Sequence, residues 1–484
     1  MFLKNTSKLI SAVFLLFLFL PLSSWAQVSL DDCDNDFVFE ATDGRIIIDV
    51  FPTGSDDTAN IQCALNVAAN LGVPIVRLSP GDFNITSLLV DNFNGSLQGT
   101  TRASTRLFVF SNGIDCAAME SQGLTPAAIK FSRGEPSLKF MQVIADSPCM
   151  SGDSIETLIH FTGKSAFDPS CGNSVINGRV DRVDIFGPGR DGDVDIAIAA
   201  AAEGDQFGGC NDSLLGGLKV NFSSISNTLA GIATAMRAGA QVDINFTTFN
   251  QTAVGVGISD SNQSTTITTN EFFSDDLEPS LSSSVGIFVV ATLASPPAKT
   301  RLVIDNNKFN FNSTQNDLMN AIRVSEFDDG TQAVSLAVTN NTFNLSGSNT
   351  TGVWCNDLNN PAISANVFNG SGIAAIVMEV TELASVSGAT ITANRGLGAF
   401  AEGDSDIFIG SGVMQTIVGP GQNAIINDNG TDSELLSSTP ADNDTRLMAV
   451  LDGKTPKAGS GISGNRLSNR ADSLSALIKQ FRKN

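Results

Sequence analysis

The sequence has no tyrosine, a single histidine (His160) and two tryptophans among its 484 residues. It is also short of positive charge, with 28 Lys and Arg against 50 Asp and Glu and a formal net charge of −22. Each shortage excludes something. Without tyrosine, no step can use a phenol as acid or base. Without a basic run to release counterions, nucleic acid is not an expected partner. The seven cysteines include no C-x-x-C spacing, which argues against a zinc site. Beyond the N-terminal leader no segment is long and apolar enough to span a bilayer, so no integral membrane anchor is expected in the mature chain. With 42% hydrophobic and only 16% charged residues, the chain is also too apolar for a disordered acidic tail. What is abundant is Phe (31) and Gly (44).

Residues 1–26 read as a secretory signal peptide. Lys4 and Lys8 form the positive start, Ala12 to Leu20 is a short apolar run, and Ser24-Trp25-Ala26 fits a small-x-small cleavage site before Gln27. Cleavage removes two lysines and no acids, taking the net charge from −22 to −24. The expected location is secreted, either extracellular or periplasmic. That compartment permits disulfides. Cys33–Cys63, Cys116–Cys149 and Cys171–Cys210 are neighbouring pairs with Cys355 left over, although spacing alone does not fix the connectivity.

Asp56 to Gly72 is the clearest helix. Ile61, Ala64, Leu65, Ala68 and Leu71 follow helical spacing, Asp56 or Asp57 suits the N-cap, and Gly72 suits the position after the last turn. A short apolar run follows, then the turn Ser79-Pro80-Gly81-Asp82-Phe83, then Leu88-Leu89-Val90 and Leu97-Gln98-Gly99. Farther on, a motif of the form aliphatic-x-x-Asn-x-Phe recurs as Ile267/Asn270/Phe272, Ile304/Asn307/Phe309, Val338/Asn341/Phe343 and Ile363/Asn366/Phe368. Looser copies stand at Ile244/Thr247/Phe249, Ile391/Asn394 and Ile462/Asn465/Leu467. Several units carry a second short strand at Gly231-Ile232, Gly286-Ile287, Gly352-Val353 and Gly372-Ile373. Such a repeat buries its apolar side chains only when neighbouring coils stack on it. Asn at the turn is expected to take the left-handed conformation and to bond to Asn in adjacent coils.

The ordered series over roughly residues 54–100 resembles the N-terminal segment of the pectate-lyase superfamily, the right-handed parallel β-helices. In that superfamily a D-D-T-x-x-I-Q helix caps the solenoid, and here it stands as Asp56-Asp57-Thr58 to Ile61-Gln62. The resemblance implies an all-β fold, a single-stranded right-handed parallel β-helix solenoid with an N-terminal capping helix. The chain then divides into the leader (1–26), cap and first coils (27–100), coils with inserted loops (101–470) and a C-terminal amphipathic capping helix (471–484). Leu474, Leu477, Ile478 and Phe481 give that last helix one apolar face, and residues 436–460 read as a long loop before it.

The superfamily includes polysaccharide lyases, glycoside hydrolases and epimerases, and related β-helices act as adhesins and tailspikes. The resemblance therefore implies an extracellular polysaccharide as partner, bound and, in an enzyme, cleaved. A non-catalytic adhesive or structural role is the alternative. The polygalacturonase R-I-K motif and the epimerase D-P-H-E motif are absent, so no catalytic residue carries over from a family.

Candidate site residues come from the strand pattern. His160, Asp184, Asn221, Asp243 and Thr266 each stand as a polar residue beside inward apolar ones, and their spacing suits one outward column. On that register His160, Asp184 and Asp243 are the candidate catalytic groups, with two carboxylates far enough apart to admit a water. Arg182, Lys219 and Arg237 are candidates for binding a sugar carboxylate. Trp354, between inward Val353 and Cys355, is expected to be exposed as a sugar-stacking platform. Asp191, Asp193 and Asp195 alternate in a pattern that supplies oxygen ligands for calcium, as do Asp32, Asp34 and Asp36.

Overall fold

The structure is a computed structural model. It describes residues 30–40, 46–110, 114–121, 124–145, 157–163, 174–189, 194–202, 214–236, 239–259, 264–275, 283–292, 300–313, 318–327, 334–347, 349–380, 385–397, 406–419, 425–435 and 439–440.

Short strands follow one another in a repeating order of three. One coil consists of Gln241–Asn245, Thr248–Asn250 and Val254–Ser259. The next consists of Ser264–Thr268, Glu271–Ser274 and Ser283–Thr292. Each strand lies parallel on its predecessor, with Ile244 opposite Ile267, Phe249 opposite Phe272 and Val256 opposite Ile287. Stacked coils thus build three parallel ladders, here called sheets A, B and C in the order in which the chain visits them. Strands Ser137–Ala145 and Ser174–Phe186 run from sheet A into sheet B around their shared corner. A strand–crossover–parallel strand path is right-handed in nearly all proteins. The chain forms the right-handed parallel β-helix expected from its sequence.

Alternation along each strand sends aliphatic residues inward. The interior is one continuous apolar column from Cys33 to Ile426. The recurring Phe residues are a major component of it. Phe249, Phe272, Phe309, Phe343 and Phe368 are buried and stack ring on ring at 4.7, 4.8, 5.0 and 4.6 Å. Opposite them the chain keeps very small residues. A Cβ on Gly255 would stand 2.7 Å from the Phe272 ring and 2.5 Å from the Gly286 carbonyl oxygen.

The Asn positions form the expected ladder between sheets A and B. Each Oδ1 accepts from the backbone N–H and side-chain amide of its predecessor, as Asn341 does for Asn307 (2.8 and 3.0 Å) and Asn366 for Asn341 (2.9 and 3.0 Å). The left-handed residue is a different one, contrary to the expectation. It is the residue just before each ladder position: Phe246, Thr269, Asn306, Asn340, Ala365 and Ala393, with φ between 51° and 58°. Turning there leaves the following side chain buried, where it can meet its neighbour in the next coil.

The N-terminal helix, α1 (Thr58–Leu71), ends at Gly72 with φ 69°. Asp57 precedes it but makes no side-chain cap bond to the helix. Its buried carboxylate instead accepts from the backbone N–H groups of Thr53 (2.7 Å) and Asn84 (2.9 Å), tying the helix to the first coils. Cys33 is disulfide-bonded to Cys63 on α1, and Cys116 is disulfide-bonded as well. Cys149, Cys171 and Cys210 lie outside the described residues. Cys355 is a free, buried thiol whose pKa is pushed up to about 12 by desolvation. It should therefore stay unalkylated in the native protein at pH 8 and react quantitatively in denaturant, which mass spectrometry after brief maleimide treatment would show.

Sheet B ends at Val367–Gly370, with one further bridge from Val367 to Arg395. Sheets A and C continue to Glu434–Leu435 and Thr439–Pro440. Those last strands fall partly within the stretch expected to be loop (436–460), where Thr439–Pro440 instead pairs with Ile425–Ile426. The expected C-terminal helix lies outside the described residues. Among the described residues no helix is long and apolar enough to cross a membrane.

Candidate functional site

The structure divides the expected catalytic column among three sheets. His160 lies in sheet C, opposite Lys130 and Ala199. Asp184 lies in sheet B, opposite Gln142 and Ser224, and pairs with Arg102. Asp243 lies in sheet A, opposite Lys219 and Thr266. Asn221 neighbours Asp181 and Asn245, not Asp184. The partner of His160 in the next coil is Ala199, 39 residues on, so a spacing of 24 stops short on sheet B. Because Ser174–Phe186 spans both A and B, Asn221 falls opposite Asp181 on sheet A and Ser224 opposite Asp184 on sheet B. His160 is also 1% exposed, and its Nε2–H donates to the Ala201 carbonyl at 3.0 Å. The arrangement brings no carboxylate pair around His160 from the residues proposed for that role.

Two of the three expected cations, Arg182 and Lys219, share a region, the outer corner of sheets A and B, where Arg179 joins them. Arg179 and Arg182 both approach Asp181, at 3.3 and 3.4 Å, and Lys219 stands 3.9 Å from Asp243. The Arg182 guanidinium sits between the rings of Phe140 (5.4 Å) and Phe222 (5.2 Å), and Phe222 stacks on Phe246 at 4.8 Å. Arg237 lies outside the described residues. So do Asp191 and Asp193, while Asp195 is fully buried. In the other acidic series, Asp34 Oδ1 accepts from the Asp36 N–H at 3.0 Å. No group of three His, Cys, Asp or Glu able to hold a metal ion occurs among the described residues.

Trp354 points away from the core as expected, but it is fully buried rather than exposed. It belongs to a second apolar cluster outside the main core, with Leu318, Ile373, Ala374, Val377 and Phe408. Its ring covers the Arg323 guanidinium at 4.9 Å, and Phe288 lies on the other side at 5.9 Å. These residues occupy one column of sheet C, where Phe288, Arg323, Trp354 and Val377 are successive register partners. The Trp354 Nε1–H donates to Glu379 Oε2 at 3.1 Å. Burial lowers the Arg323 pKa to about 10, with the negative charge of Glu379 opposing the shift.

Polar side chains flank this column on the same face. Asn320 and Thr351 are register partners on one side, and Ser325, Asn356 and Glu379 follow one another on the other. Asn320, Ser325, Thr351 and Asn356 are at most 2% exposed. Yet Asn320 Nδ2 and Oδ1, Arg323 Nε, Ser325 Oγ, Thr351 Oγ1 and Asn356 Oδ1 have no hydrogen-bond partner. A buried polar atom left unpaired costs about 1–3 kcal/mol. Buried polar atoms are ordinarily paired, so this patch calls for hydrogen-bond partners, water or a ligand, beyond the described side chains.

Of this site the sequence reading found only Trp354. The signal was present in the small-aliphatic-x triplets Gly286-Ile287-Phe288, Ala321-Ile322-Arg323, Gly352-Val353-Trp354 and Ala375-Ile376-Val377. Reading the third residue of each, with Ala admitted in place of Gly, gives the column directly.

No protein-family model matches the chain, and no curated protein matches it. Similar solved structures exist. The Agl-KA catalytic domain is 13% identical with a TM-score of 0.44, over 80% of this chain and 65% of that one. The surface adhesin PfbA of Streptococcus pneumoniae is 13% identical with a TM-score of 0.44, over 79% and 97%. The catalytic unit of the GH87 α-1,3-glucanase of Streptomyces thermodiastaticus is 12% identical with a TM-score of 0.36, over 80% and 67%. The chain thus spans less than two thirds of the Agl-KA structure. At these identities and TM-scores the similarities assign neither a residue nor an activity.

Proposed function

We propose that this is an exported β-helix protein that binds an extracellular polysaccharide through the outer face of sheet C. The observation that supports this is the patch of buried, unpaired donors and acceptors around the Phe288–Arg323–Trp354 stack. Sugar rings match such a surface, with hydroxyls for the amides and Ser/Thr groups and C–H faces for the aromatic walls. The opposite charges of Arg323 and Glu379 make the patch close to neutral, which suits a hydroxylated ligand. Binding without cleavage is the reading that fits the separation of His160, Asp184 and Asp243. Those three remain the proposed groups only if hydrolysis or elimination is detected.

The test uses Trp354 as reporter in a Trp25→Phe chain, whose only tryptophan is then Trp354. Titration with a panel of polysaccharides should shift its emission, and no reducing ends or unsaturated products should form. Because the atoms are sealed from solvent, association needs a conformational step and should be slower than about 10⁵ M⁻¹s⁻¹. Arg323→Met should abolish the response. The same change removes the positive charge beside Glu379 and loses the ring contacts of Arg323, so it should cost stability, on the order of 1–3 kcal/mol, and binding is compared well below its thermal midpoint. A full response in Arg323→Met would remove sheet C as the site, and product formation would restore the catalytic reading.

A further inference from the structure

The unpaired atoms of sheet C also restrict which sugars fit there, an inference that rests on the carbohydrate reading above. We infer that the polymer recognised is a neutral polysaccharide whose inner rings keep hydroxyls free on two neighbouring carbons, and that Asn320 holds that pair.

The first observation is the balance of the unpaired set. Asn320 Oδ1 and Asn356 Oδ1 only accept, Asn320 Nδ2 and Arg323 Nε only donate, and Ser325 Oγ and Thr351 Oγ1 do either. An anionic group brings acceptors alone. It leaves both amide oxygens buried and unpaired, and the negative charge of Glu379 near Arg323 opposes it. An ammonium group brings donors alone and fails in the mirror sense, beside a buried guanidinium. A hydroxyl both donates and accepts, so a set of sugar hydroxyls satisfies all six atoms. Water has the same capacity, which makes hydration alone the competing occupant.

The second is Asn320 itself. It is fully buried, and both ends of its amide lack a partner. Whichever way the amide lies, one donor and one acceptor stand side by side in a single plane. Hydroxyls on neighbouring ring carbons also stand side by side, so one accepts from Nδ2 while the other donates to Oδ1. Asn makes the same kind of two-point contact with adenine, where a donor and an acceptor are adjacent. The acetamido group of an amino sugar does not match, because its N–H and C=O point in opposite directions across a trans amide.

The third is location. Met319, Ala321 and Ile322 all belong to the main core, so strict alternation breaks there and Asn320 shares the outer face with Arg323. Leu318, two residues before Asn320, and Ala374, the register partner of Thr351, pack with Trp354 in the second apolar cluster. The amide therefore borders the apolar wall. A sugar ring placed against that wall turns its edge, where the hydroxyls project, toward Asn320 and Thr351.

Linkage then decides which polymers fit. In a glucan joined through the third carbon of each ring, the linkage separates the remaining ring hydroxyls, and inner rings offer no neighbouring pair. Joining through the fourth or sixth carbon leaves such a pair free on every ring.

The experiment uses the full Trp25→Phe chain, with dextran and amylose as diol-bearing probes and solubilised curdlan, joined through the third carbon, as control. Trp354 emission at equilibrium reports binding. Dextran or amylose should bind on the order of tenfold or more tightly than curdlan, because a ligand without the hydroxyl pair leaves the amide unpaired. Asn320→Leu should remove that preference and bring all three to the level of curdlan. Its thermal midpoint should hold or rise, because two unpaired buried atoms are gone. Arg323→Met should silence every polymer. Curdlan binding as tightly as dextran and amylose would overturn the inference and leave the carbohydrate reading standing. A preference that survives Asn320→Leu would overturn it as well, by tracing the preference to chain shape. So would a lower midpoint in Asn320→Leu, which would show that water already pairs the amide. No response to any of the three glucans would also overturn it, and the carbohydrate reading would then stand or fall on the wider panel.

Discussion

Replacing Phe309 with alanine should destabilise the protein by about 3–5 kcal/mol. The ring is fully buried between Phe272 at 4.8 Å and Phe343 at 5.0 Å, with Phe311 edge-on at 6.3 Å. Alanine forfeits both stacked faces and leaves a cavity that cannot collapse, because the backbone around it is held by parallel ladders on both sides. In a solenoid each coil touches only its neighbours, so the loss stays local. Calorimetry should show the single transition of the parent broadened or split into an N-terminal and a C-terminal component. Phe309→Leu, which keeps most of the volume, should cost less than about 2 kcal/mol and keep one transition. An alanine variant that melts like the parent would mean the stack contributes little beyond filling space.

Asn341→Leu should be comparably severe, at about 4 kcal/mol or more. The side chain serves both neighbouring coils. Its Oδ1 accepts from the N–H and side-chain amide of Asn307, and its Nδ2 donates to Ile304 O, Thr339 O and Asn366 Oδ1. Leucine leaves these partners buried and unpaired, at about 1–3 kcal/mol each before relaxation. Asn341→Asp separates shape from hydrogen bonding. It keeps the acceptor oxygens but turns a carboxylate toward three oxygens. Its penalty should shrink as pH falls and the protonated carboxyl regains a donor. A pH-independent penalty in the Asp variant would point to packing, not to the bonds, as the source of the ladder's stability.

Residues that repeat carried the fold in the sequence. The Asn and Phe positions and the helix at 58–71 follow from period and burial and read correctly without coordinates. Of the small-residue pairs, Gly372-Ile373 precedes its strand, where Ala375-Ile376 is the equivalent of Gly352-Val353, and Asp57 makes no cap bond to the helix. The left-handed corner was misplaced by one residue. Asn favours that conformation, but the ladder needs the Asn side chain inside the coil, so its neighbour takes the turn instead. The site was harder to read because it depends on which coil lies on which. One strand bending around a corner, Ser174–Phe186, shifts every residue after it onto another sheet. Arg323 is illegible in the sequence for a different reason. A charged residue in a strand ordinarily faces water, and nothing in the local pattern around it signals a covered outer face. Arg182 and Lys219 are legible in the sequence, as partners of a column whose members lie on three different sheets, and Arg179 is not. The stacking of Arg182 on Phe140 and Phe222 joins residues some forty positions apart.

The left-handed corner residue sets up a division of labour in most of the described coils, Thr269 being half-buried. It is exposed in Arg182, Phe222, Phe246, Asn306, Asn340, Ala365 and Ala393, while the next residue is buried. On the later coils the inner position is held to Asn by its bonds, but the outer one faces solvent and has taken aromatic, cationic, amide and methyl groups in turn. It works as a row of type slots along the solenoid, one per turn. New lettering there changes what the molecule displays to its surroundings without resetting the coils beneath, so descendants of one scaffold can diverge in partner while keeping the same interior.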